Sequence, residues 1–163
     1  RIDMNTKAKK TQNLNIVNKR ARFDYHIEKE FEAGIVLQGW ECKSIWKNKM
    51  DINASYINIR GGELFLFGAR ITPLKEVSTH IEVDPMRNRK LLMHRKEINS
   101  LIGSVERKGM TLIPLFVENK GKFKLRIALA KGKKDHDKRE AVKEREGKVA
   151  VERAMKSQNK NYE

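Results

Sequence analysis

The chain has 163 residues, of which 36 are lysine or arginine and 21 are aspartate or glutamate, so its formal net charge at pH 7 is +15. A single cysteine excludes an intramolecular disulfide, and no apolar run reaches the roughly eighteen residues that a membrane-spanning helix needs. We therefore expect a cytoplasmic protein with a polyanionic partner, nucleic acid first and an anionic membrane surface second.

Composition divides the chain into three regions. Residues 1–17 are basic and polar and predict a flexible arm, in which residues 1–3 precede the first methionine and are set aside as a cloning remnant. Residues 18–130 carry nearly all the large apolar side chains. Residues 131–163 hold eleven Lys or Arg and seven Asp or Glu, which predicts a basic C-terminal tail.

The first β-rich stretch of the central region runs from Tyr25 to Ile45. It predicts two strands that break around Ala33-Gly34, with Gly39 at a bulge or at a close backbone approach. Alternating glutamates at the start of this stretch indicate a solvated strand face, and Cys42 is interpreted as a half-buried strand cysteine.

Two hairpins are predicted further along the chain. Gly61-Gly62 separates two β-rich runs, and a second turn lies near residues 119–121. The last strand alternates cleanly, so its two faces are predicted to carry Phe123, Leu125, Ile127 and Leu129 on one side, and Lys122, Lys124 and Arg126 on the other.

One segment, residues 84–103, has helical spacing and a glycine, Gly103, where a C-cap belongs. The apolar stripe of this predicted helix comprises Leu91, Leu92, Ile98, Leu101 and Ile102. Short strands with one late helix predict a mainly β fold, a small closed OB-type β-barrel with one main helix, short helical turns and flexible basic tails. We expect side chains to fill its interior.

Catalytic chemistry finds little support in the sequence. The histidines at positions 26, 80, 94 and 136 lie far apart, and none stands at metal-ligand spacing. Residues 39–44, GWECKS, lack the glycine spacing of a phosphate-binding Walker A loop. We therefore expect a protein that is not an enzyme and that carries neither metal nor cofactor.

Basic side chains gather in four clusters. The clusters are Lys19, Arg20 and Arg22; Arg87, Arg89, Lys90, Arg95 and Lys96; Lys122, Lys124 and Arg126; and Lys131, Lys133, Lys134, Lys138 and Arg139. Together with the net charge they predict several phosphate contacts and salt-dependent binding. RNA is favoured over duplex DNA because no DNA-binding motif is visible and Tyr25 and Trp46 are placed to stack on unpaired bases, although Tyr25 fits core packing equally well.

Five blocks spread in order between Asn18 and Arg139 carry a resemblance to a known family. They read NKRARFDY, EAGIVLQGWECKS, DPMRNRKLL, LIPL and LAKGKKDHDKR. The chain resembles the SsrA-binding protein family, the bacterial partner of tmRNA in trans-translation. The resemblance implies an OB-type barrel that binds the tRNA-like domain of tmRNA. It also implies a monomer that enters the A site of stalled ribosomes with tmRNA, elongation factor Tu and GTP.

The resemblance also implies the RNA contacts of the barrel. These are Asn18, Arg20, Glu41, Lys43 and Ser44, assisted by Arg87, Arg89 and Lys90. Glu41 would accept hydrogen bonds from base amino groups or orient a neighbouring cation, the alternative being a plain surface ion pair. The family usually has valine where this chain has Cys42 and arginine where it has Trp46, and we hypothesise that Trp46 stacks on RNA.

For the tail, the resemblance implies a segment that is disordered in solution and helical in the mRNA channel of the ribosome. Its contacts to the decoding centre would come from Lys131, Gly132, Lys133, Lys134, His136, Asp137, Lys138 and Arg139. Asp137 with Glu140 predicts a capping box, Gly132 a hinge, and Gly147 an interruption of a marginal helix. A general OB-fold RNA-binding protein and a structural ribosomal protein remain the alternatives.

Overall fold

The computed structural model describes residues 14–75 and 82–160, and the side chains of residues 135–137, 141, 151 and 156–160 lie outside that description. Its elements in chain order are α1 Ala21–Asp24, β1 Tyr25–Ile35, α2 Gly39–Trp46, β2 Met50–Asp51, β3 Tyr56–Arg60, β4 Glu63–Phe67, β5 Arg70–Ile71, β6 Arg89–Leu92, α3 Arg95–Lys108, β7 Thr111–Asn119, β8 Phe123–Gly132 and α4 Asp135–Lys160.

Six strands form one antiparallel sheet in the order β3-β4-β6-β1-β8-β7, while β2 and β5 pair separately. The sheet curls until Cα atoms of its two edge strands, β3 and β7, come within 8 Å of each other. These two strands are not paired, so the mainly β, OB-like fold is confirmed but the predicted closure of the barrel is wrong. The chain before α1 occupies the edge of β7 instead, through Val17 bridged to Phe116.

Apolar side chains fill the inside of the curled sheet, as expected for so few strands. Leu64, Leu91 and Ile127 are fully buried there, and α3 covers the core with Ile98 and Leu101. Truncating one such leucine to alanine would cost about 2–5 kcal/mol of folding free energy. The interior therefore supplies stability, and functional side chains must be sought on the outside.

The arm predicted over residues 1–17 does not include its last four residues, which belong to the barrel. Ile16 is only 2% exposed and belongs to the main core, and its carbonyl accepts a hydrogen bond from the amide of Val117 at 3.0 Å. Residues 14–17 therefore pack with the barrel, and residues 1–13 of the predicted arm lie outside the described residues.

The predicted helix over residues 84–103 is wrong in its first half. Residues Arg89–Leu92 form β6, which pairs with β1 and β4, for example through Leu91 opposite Ile35 and Leu64. The helix α3 begins at Arg95 and continues through Gly103 to a left-handed Gly109, whose φ is 63°. Sheet hydrogen bonds on both sides of β6 outweigh the helical spacing of its leucines.

The two strands predicted between Tyr25 and Ile45 are a single strand and a helix. β1 runs without a break to Ile35, because Gly34 pairs with both Leu92 and Lys124. The helix α2 then begins at Gly39 with a capping box formed by Gln38 and Glu41. Cys42 is half-buried as predicted, but on a helix.

Both predicted hairpins are present. Gly61 and Gly62 join β3 to β4 with φ values of 57° and 74°, and Gly121 lies in the turn before β8. The faces of β8 are also as predicted, since Leu125, Ile127 and Leu129 are buried in the core while Lys124 and Arg126 stay partly exposed on the other side.

The tail departs from three local predictions. Gly132 is the last residue of β8 and pairs with Tyr25, so it lies in the sheet. The helix α4 begins at Asp135, which places Asp137 inside its first turn instead of at the N-cap. The same helix continues past Gly147. No helix within the described residues is long and apolar enough to cross a membrane.

Candidate nucleic-acid interface

A buried ion-pair cluster joins α2 to β6. Glu41 on α2 is 0% exposed, and its Oε2 accepts a hydrogen bond from Nε of Arg89, also 0% exposed, at 2.6 Å. Its Oε1 accepts the Gln38 amide at 2.7 Å and the guanidinium of Arg87. Arg89 also donates to the carbonyl oxygen of Ala69 at 2.9 Å.

Burial alone would raise the pKa of Glu41, but hydrogen bonds from Arg87, Gln38 and Arg89 outweigh it and lower that pKa below its usual value. Burial lowers the pKa of Arg89, against the opposing hydrogen bond and charge of Glu41. An arginine so paired stays protonated at neutral pH, so the cluster is a fixed buried salt bridge.

Three predicted RNA contacts are therefore corrected. The side chains of Glu41, Ser44 and Arg89 are all buried, and the Glu41–Arg89 pair holds α2 against the sheet. The Oγ of Ser44 is buried with no hydrogen-bond partner among the described residues. Arg87 remains 27% exposed although it donates to Glu41 and to the carbonyl of Val36. Lys43 is exposed on α2, and Lys90 is half-buried on the outer face of β6.

The outer face of the sheet carries a groove of about 460 Å³ where β6, β1 and β8 lie side by side. Gly34 forms its floor, because a Cβ atom there would lie 3.4 Å from Cβ of Leu92 and 3.7 Å from Nζ of Lys124. Leu92 is 52% exposed, an unusual fraction for a leucine in the middle of a sheet. Glu32, Met93, His94 and Glu97 also line the groove.

The predicted contact Lys124 thus lies in a built groove, while two other predicted contacts lie nearby. Arg126 is partly exposed on the same strand and approaches Glu30 with Nε 3.6 Å from Oε2. Lys122 is exposed in the turn before β8. Leu92 was not predicted as a contact because its sequence pattern placed it on the buried stripe of a helix. The pairing of β6 within the sheet shows instead that Leu92 lies on the outer face.

A second groove, of about 290 Å³, lies at the open seam between β3 and β7. It brings together the predicted contacts Asn18, Arg20 and Tyr25. Nδ2 of Asn18 donates to the carbonyl of Pro114 at 3.0 Å, which fixes the start of the turn α1 to β7. Tyr25 is half-buried, so part of its ring faces the groove.

Tyr56 adds an exposed aromatic ring to this second groove. It is 53% exposed and stacks on Phe67 with ring centroids 5.6 Å apart and planes at 11°. Arg60 lies over the Phe67 ring at 4.7 Å. A stacked aromatic pair beside cationic side chains is the arrangement that unpaired bases bind. Tyr56 was not predicted, because in sequence it is one of many strand aromatics.

Trp46 is half-buried at the end of α2, with its ring edge-on to Phe123 at a centroid distance of 5.6 Å. This contact anchors Trp46 beside the turn that carries Lys122. Its stacking on RNA stays a prediction.

Two of the basic residues that open the tail pair with carboxylates of β1 and α1. Lys131 approaches Glu28 at 3.8 Å, and Lys138 approaches Asp24 at 3.6 Å. Lys134 and Arg139 are exposed. The side chains of His136 and Asp137 lie outside the described residues.

The described residues contain no group of three or more His, Cys, Asp or Glu side chains that could hold a metal ion. Burial, together with the charge of Glu41, raises the pKa of the Cys42 thiol, which leaves it a poor nucleophile at neutral pH. The two grooves bring together basic and aromatic side chains, among them Arg20, Tyr56 and Lys124.

Comparison with known proteins agrees with this geometry. The profile of the family described as "SmpB protein" matches residues 15–157. An SsrA-binding protein of Polaromonas sp. is 56% identical over 144 residues, covering 88% of this chain and 97% of the relative. One from Paracidovorax citrulli is 50% identical over 156 residues, covering 94% and 99%.

Among solved structures, a chain described under "tmRNA-SmpB: a journey to the center of the bacterial ribosome" matches with a TM-score of 0.60 and 42% identity. The match covers 78% of this chain and 93% of that one. On this evidence the chain belongs to the SmpB protein family.

Proposed function

We propose that this protein binds the tRNA-like domain of tmRNA and brings it to the A site of stalled ribosomes for trans-translation. The observation that carries the proposal is the groove on the outer face, where Leu92 and Lys124 flank the bare backbone of Gly34 in a chain of this family. The solved chain that matches at 42% identity is described with tmRNA and the ribosome, which supports the same partners here.

The outer-face groove suits one or two unpaired nucleotides. The side chain of Leu92 offers an apolar surface to a base, Lys124 offers an ammonium to a phosphate, and Gly34 lets both approach the sheet closely. Glu32, paired with Lys120 at 2.6 Å, supplies carboxylate oxygens that accept hydrogen bonds from base amino groups.

The second groove gives the same RNA another point of contact. Tyr25 and Gly34 lie nine residues apart on β1, which separates the two grooves by roughly 30 Å at the rise of a β-strand. Arg20 and Tyr56 would bind a phosphate and stack a base there. Two grooves this far apart suit a folded RNA domain better than a short single strand.

The tail is proposed to act on the ribosome. Among the described side chains of α4, the apolar Val142, Val149 and Met155 are exposed, so in isolation the helix gains little from packing them. We therefore expect the segment to be disordered in free solution and to become helical in the mRNA channel, where rRNA phosphates would bind its lysines and arginines. His136 and Asp137 are proposed to contact the decoding centre.

The test separates binding from tagging. A chain ending at Lys134 keeps β8 complete, because Gly132 still pairs with Tyr25. We expect this truncation to bind tmRNA with near-normal affinity in an equilibrium titration and to lose peptide tagging in a reconstituted translation assay. If both activities survive, the tail has no role in accommodation. If both are lost, the proposed division between barrel and tail is wrong.

The delivery complex is proposed to contain one copy of this chain with elongation factor Tu and GTP, in the cytoplasm, and no catalytic step is assigned to the chain. A structural ribosomal protein is the competing reading of the basic surface. It would remain on purified subunits at high salt, whereas a factor held through phosphate contacts would dissociate, because such binding weakens steeply with salt.

A further inference from the structure

Lys124, the lysine of the outer-face groove, has two carboxylates beside it on the same face of the sheet. Glu118 on β7 stands directly opposite Lys124 in the strand register. Glu32 on β1 is its diagonal neighbour, because Gly34, two residues further along β1, is opposite Lys124. Direct neighbours on one face have Cβ atoms about 4.5–5.5 Å apart and diagonal ones about 7–8 Å, distances that a lysine side chain spans. Both carboxylates are therefore within reach of Lys124.

The two carboxylates are held by a different lysine, Lys120, in the turn between β7 and β8. Its Nζ lies 2.6 Å from Oε2 of Glu32 and 3.4 Å from Oε2 of Glu118. Since β8 lies between β7 and β1 in the sheet, the side chain of Lys120 bridges the two strands that flank Lys124. Among the described residues, no carboxylate lies within ion-pair distance of Lys124. Its ammonium lies instead over Gly34, where a Cβ atom would be 3.7 Å from Nζ.

The turn fixes the backbone from which Lys120 reaches. The amide of Lys120 donates to the carbonyl oxygen of Lys122 at 3.0 Å, and Gly121 between them has a left-handed φ of 83°. The hydrogen bond from Lys120 lowers the pKa of Glu32, and hydrogen bonds to Glu32 and Glu118 raise the pKa of Lys120. The groups of this bridge are therefore charged at neutral pH.

Other charged groups near the groove do not take the place of Lys120. Arg126 stands opposite Glu32 in the sheet, but its Nε approaches Oε2 of Glu30 at 3.6 Å. Glu97 of α3 also lines the groove, and it too makes no ion pair with Lys124. The carboxylates next to Lys124 in the sheet are thus the two that Lys120 holds.

We infer that Lys120 is a positioning residue, which engages the two carboxylates beside Lys124 and so leaves the Lys124 ammonium available to an RNA phosphate. A carboxylate and a phosphate compete for the same ammonium, and ion pairs this exposed are weak enough to exchange. The lysine that holds Glu32 and Glu118 therefore decides whether Lys124 can bind RNA. The inference rests on the proposed function in that RNA is the ligand of Lys124, whereas the arrangement of the charges does not.

A rescue experiment tests the inference in tmRNA titrations at several salt concentrations. Lys120→Gln should weaken binding and reduce the slope of log K against log salt by up to roughly 0.7–0.9, because Lys124 then pairs with a carboxylate and one phosphate contact is lost. Adding Glu118→Gln removes the carboxylate directly opposite Lys124, so most of the affinity and slope should return although no lysine stands at position 120. The matched control adds Glu106→Gln instead, an exposed position on α3 that gives the same net charge, and should restore neither.

Two outcomes of the titration would overturn the inference. If Glu118→Gln restores nothing, Lys120 is itself the phosphate contact. If Glu106→Gln restores as much as Glu118→Gln, the effect comes from net charge alone. Lys120→Arg should bind like the native protein, because an arginine also bridges two carboxylates, and urea unfolding of each variant shows that the fold is retained.

The free protein gives a readout that needs no tmRNA. Limited acetylation followed by mass spectrometry measures the reactivity of Lys124 relative to the exposed Lys108 on α3. An ion pair favours the protonated, unreactive ammonium, so the reactivity of Lys124 should fall in Lys120→Gln and recover when Glu118→Gln is added. An unchanged reactivity in Lys120→Gln would overturn the inference. A native protein that fails to bind tmRNA would refute the proposed function, and the acetylation pattern would still decide whether Lys120 keeps Lys124 unpaired.

Discussion

Replacing the buried Glu41 by glutamine should destabilise this protein more than removing any one of the exposed charges of the barrel. The carboxylate accepts four hydrogen bonds, from the Gln38 amide, twice from Arg87 and once from Arg89. A glutamine amide keeps one acceptor oxygen and turns an NH₂ donor toward a guanidinium. Arg89, which is fully buried, would then carry an uncompensated charge.

The expected loss of folding free energy is about 3–5 kcal/mol, the usual cost of removing one partner of a buried pair. The matched control is Glu30→Gln, whose pair with Arg22 has side chains 68% and 32% exposed and should cost about 0–1 kcal/mol. Urea unfolding followed by tryptophan fluorescence measures both, because the buried Trp40 hydrogen-bonds to Gln38 beside Glu41. A loss for Glu41→Gln no larger than that of the control would refute the reasoning.

The pH dependence gives the same prediction a second readout. The pKa of Glu41 is lower in the folded protein than its usual value of 4.5, so the carboxylate stabilises the fold fully above pH 4.5. That stabilisation is lost as the pH falls through the lower folded pKa. The difference in stability between the native protein and Glu41→Gln should therefore shrink below pH 4.5, and a difference that stays constant to pH 3 would contradict the assignment.

Three further predictions concern the RNA surface. Lys124→Ala should weaken tmRNA binding and reduce the slope of log K against log salt by roughly 0.7–0.9. The control Lys108→Ala, on α3, should change neither the affinity nor the slope. An unaltered slope for Lys124→Ala would count against the outer-face groove as an RNA contact. Tyr56→Ala should weaken tmRNA binding by about 1–3 kcal/mol in the same titration, with Tyr56→Phe near normal because the ring does the stacking. Trp46→Ala should also lower tmRNA affinity, and equal affinity would remove Trp46 from the interface.

The β-rich class, the two hairpins and the faces of β8 were predictable because each depends on local pattern. Alternation along β8 and glycines at residues 61 and 62 specify strand and turn without reference to the rest of the chain. The assignment of Leu92 was not predictable in this way. Its neighbour Leu91 has helical spacing to Ile98, seven residues later. But β6 has partners on both sides that are distant in sequence, and their hydrogen bonds decide its conformation.

The residues of the candidate site also differ in whether local pattern could predict them. A count of charges finds the basic clusters, and the alternation of β8 placed Lys124 correctly on the outer face. Lys43, which the family resemblance supplied, is exposed on α2. It could not distinguish Arg89 from Lys90, although one is fully buried and the other faces outward. Adjacent strand residues point to opposite faces, so a shift of one position reverses the role. The register of β6 against β1 therefore decides that Lys90, and not Arg89, is on the face that can contact RNA.

The segment of residues 16–18 along β7 has a consequence for solubility and handling. An uncovered strand edge offers free amide and carbonyl groups to neighbouring molecules, which is a common start of intermolecular β-association. Here Ile16 and Asn18 exchange hydrogen bonds with Val117 and Leu115 and so shield that edge. A protease that cuts just after Asn18 would therefore uncover the unpaired edge of β7. The shortened protein should aggregate under conditions in which the intact protein does not.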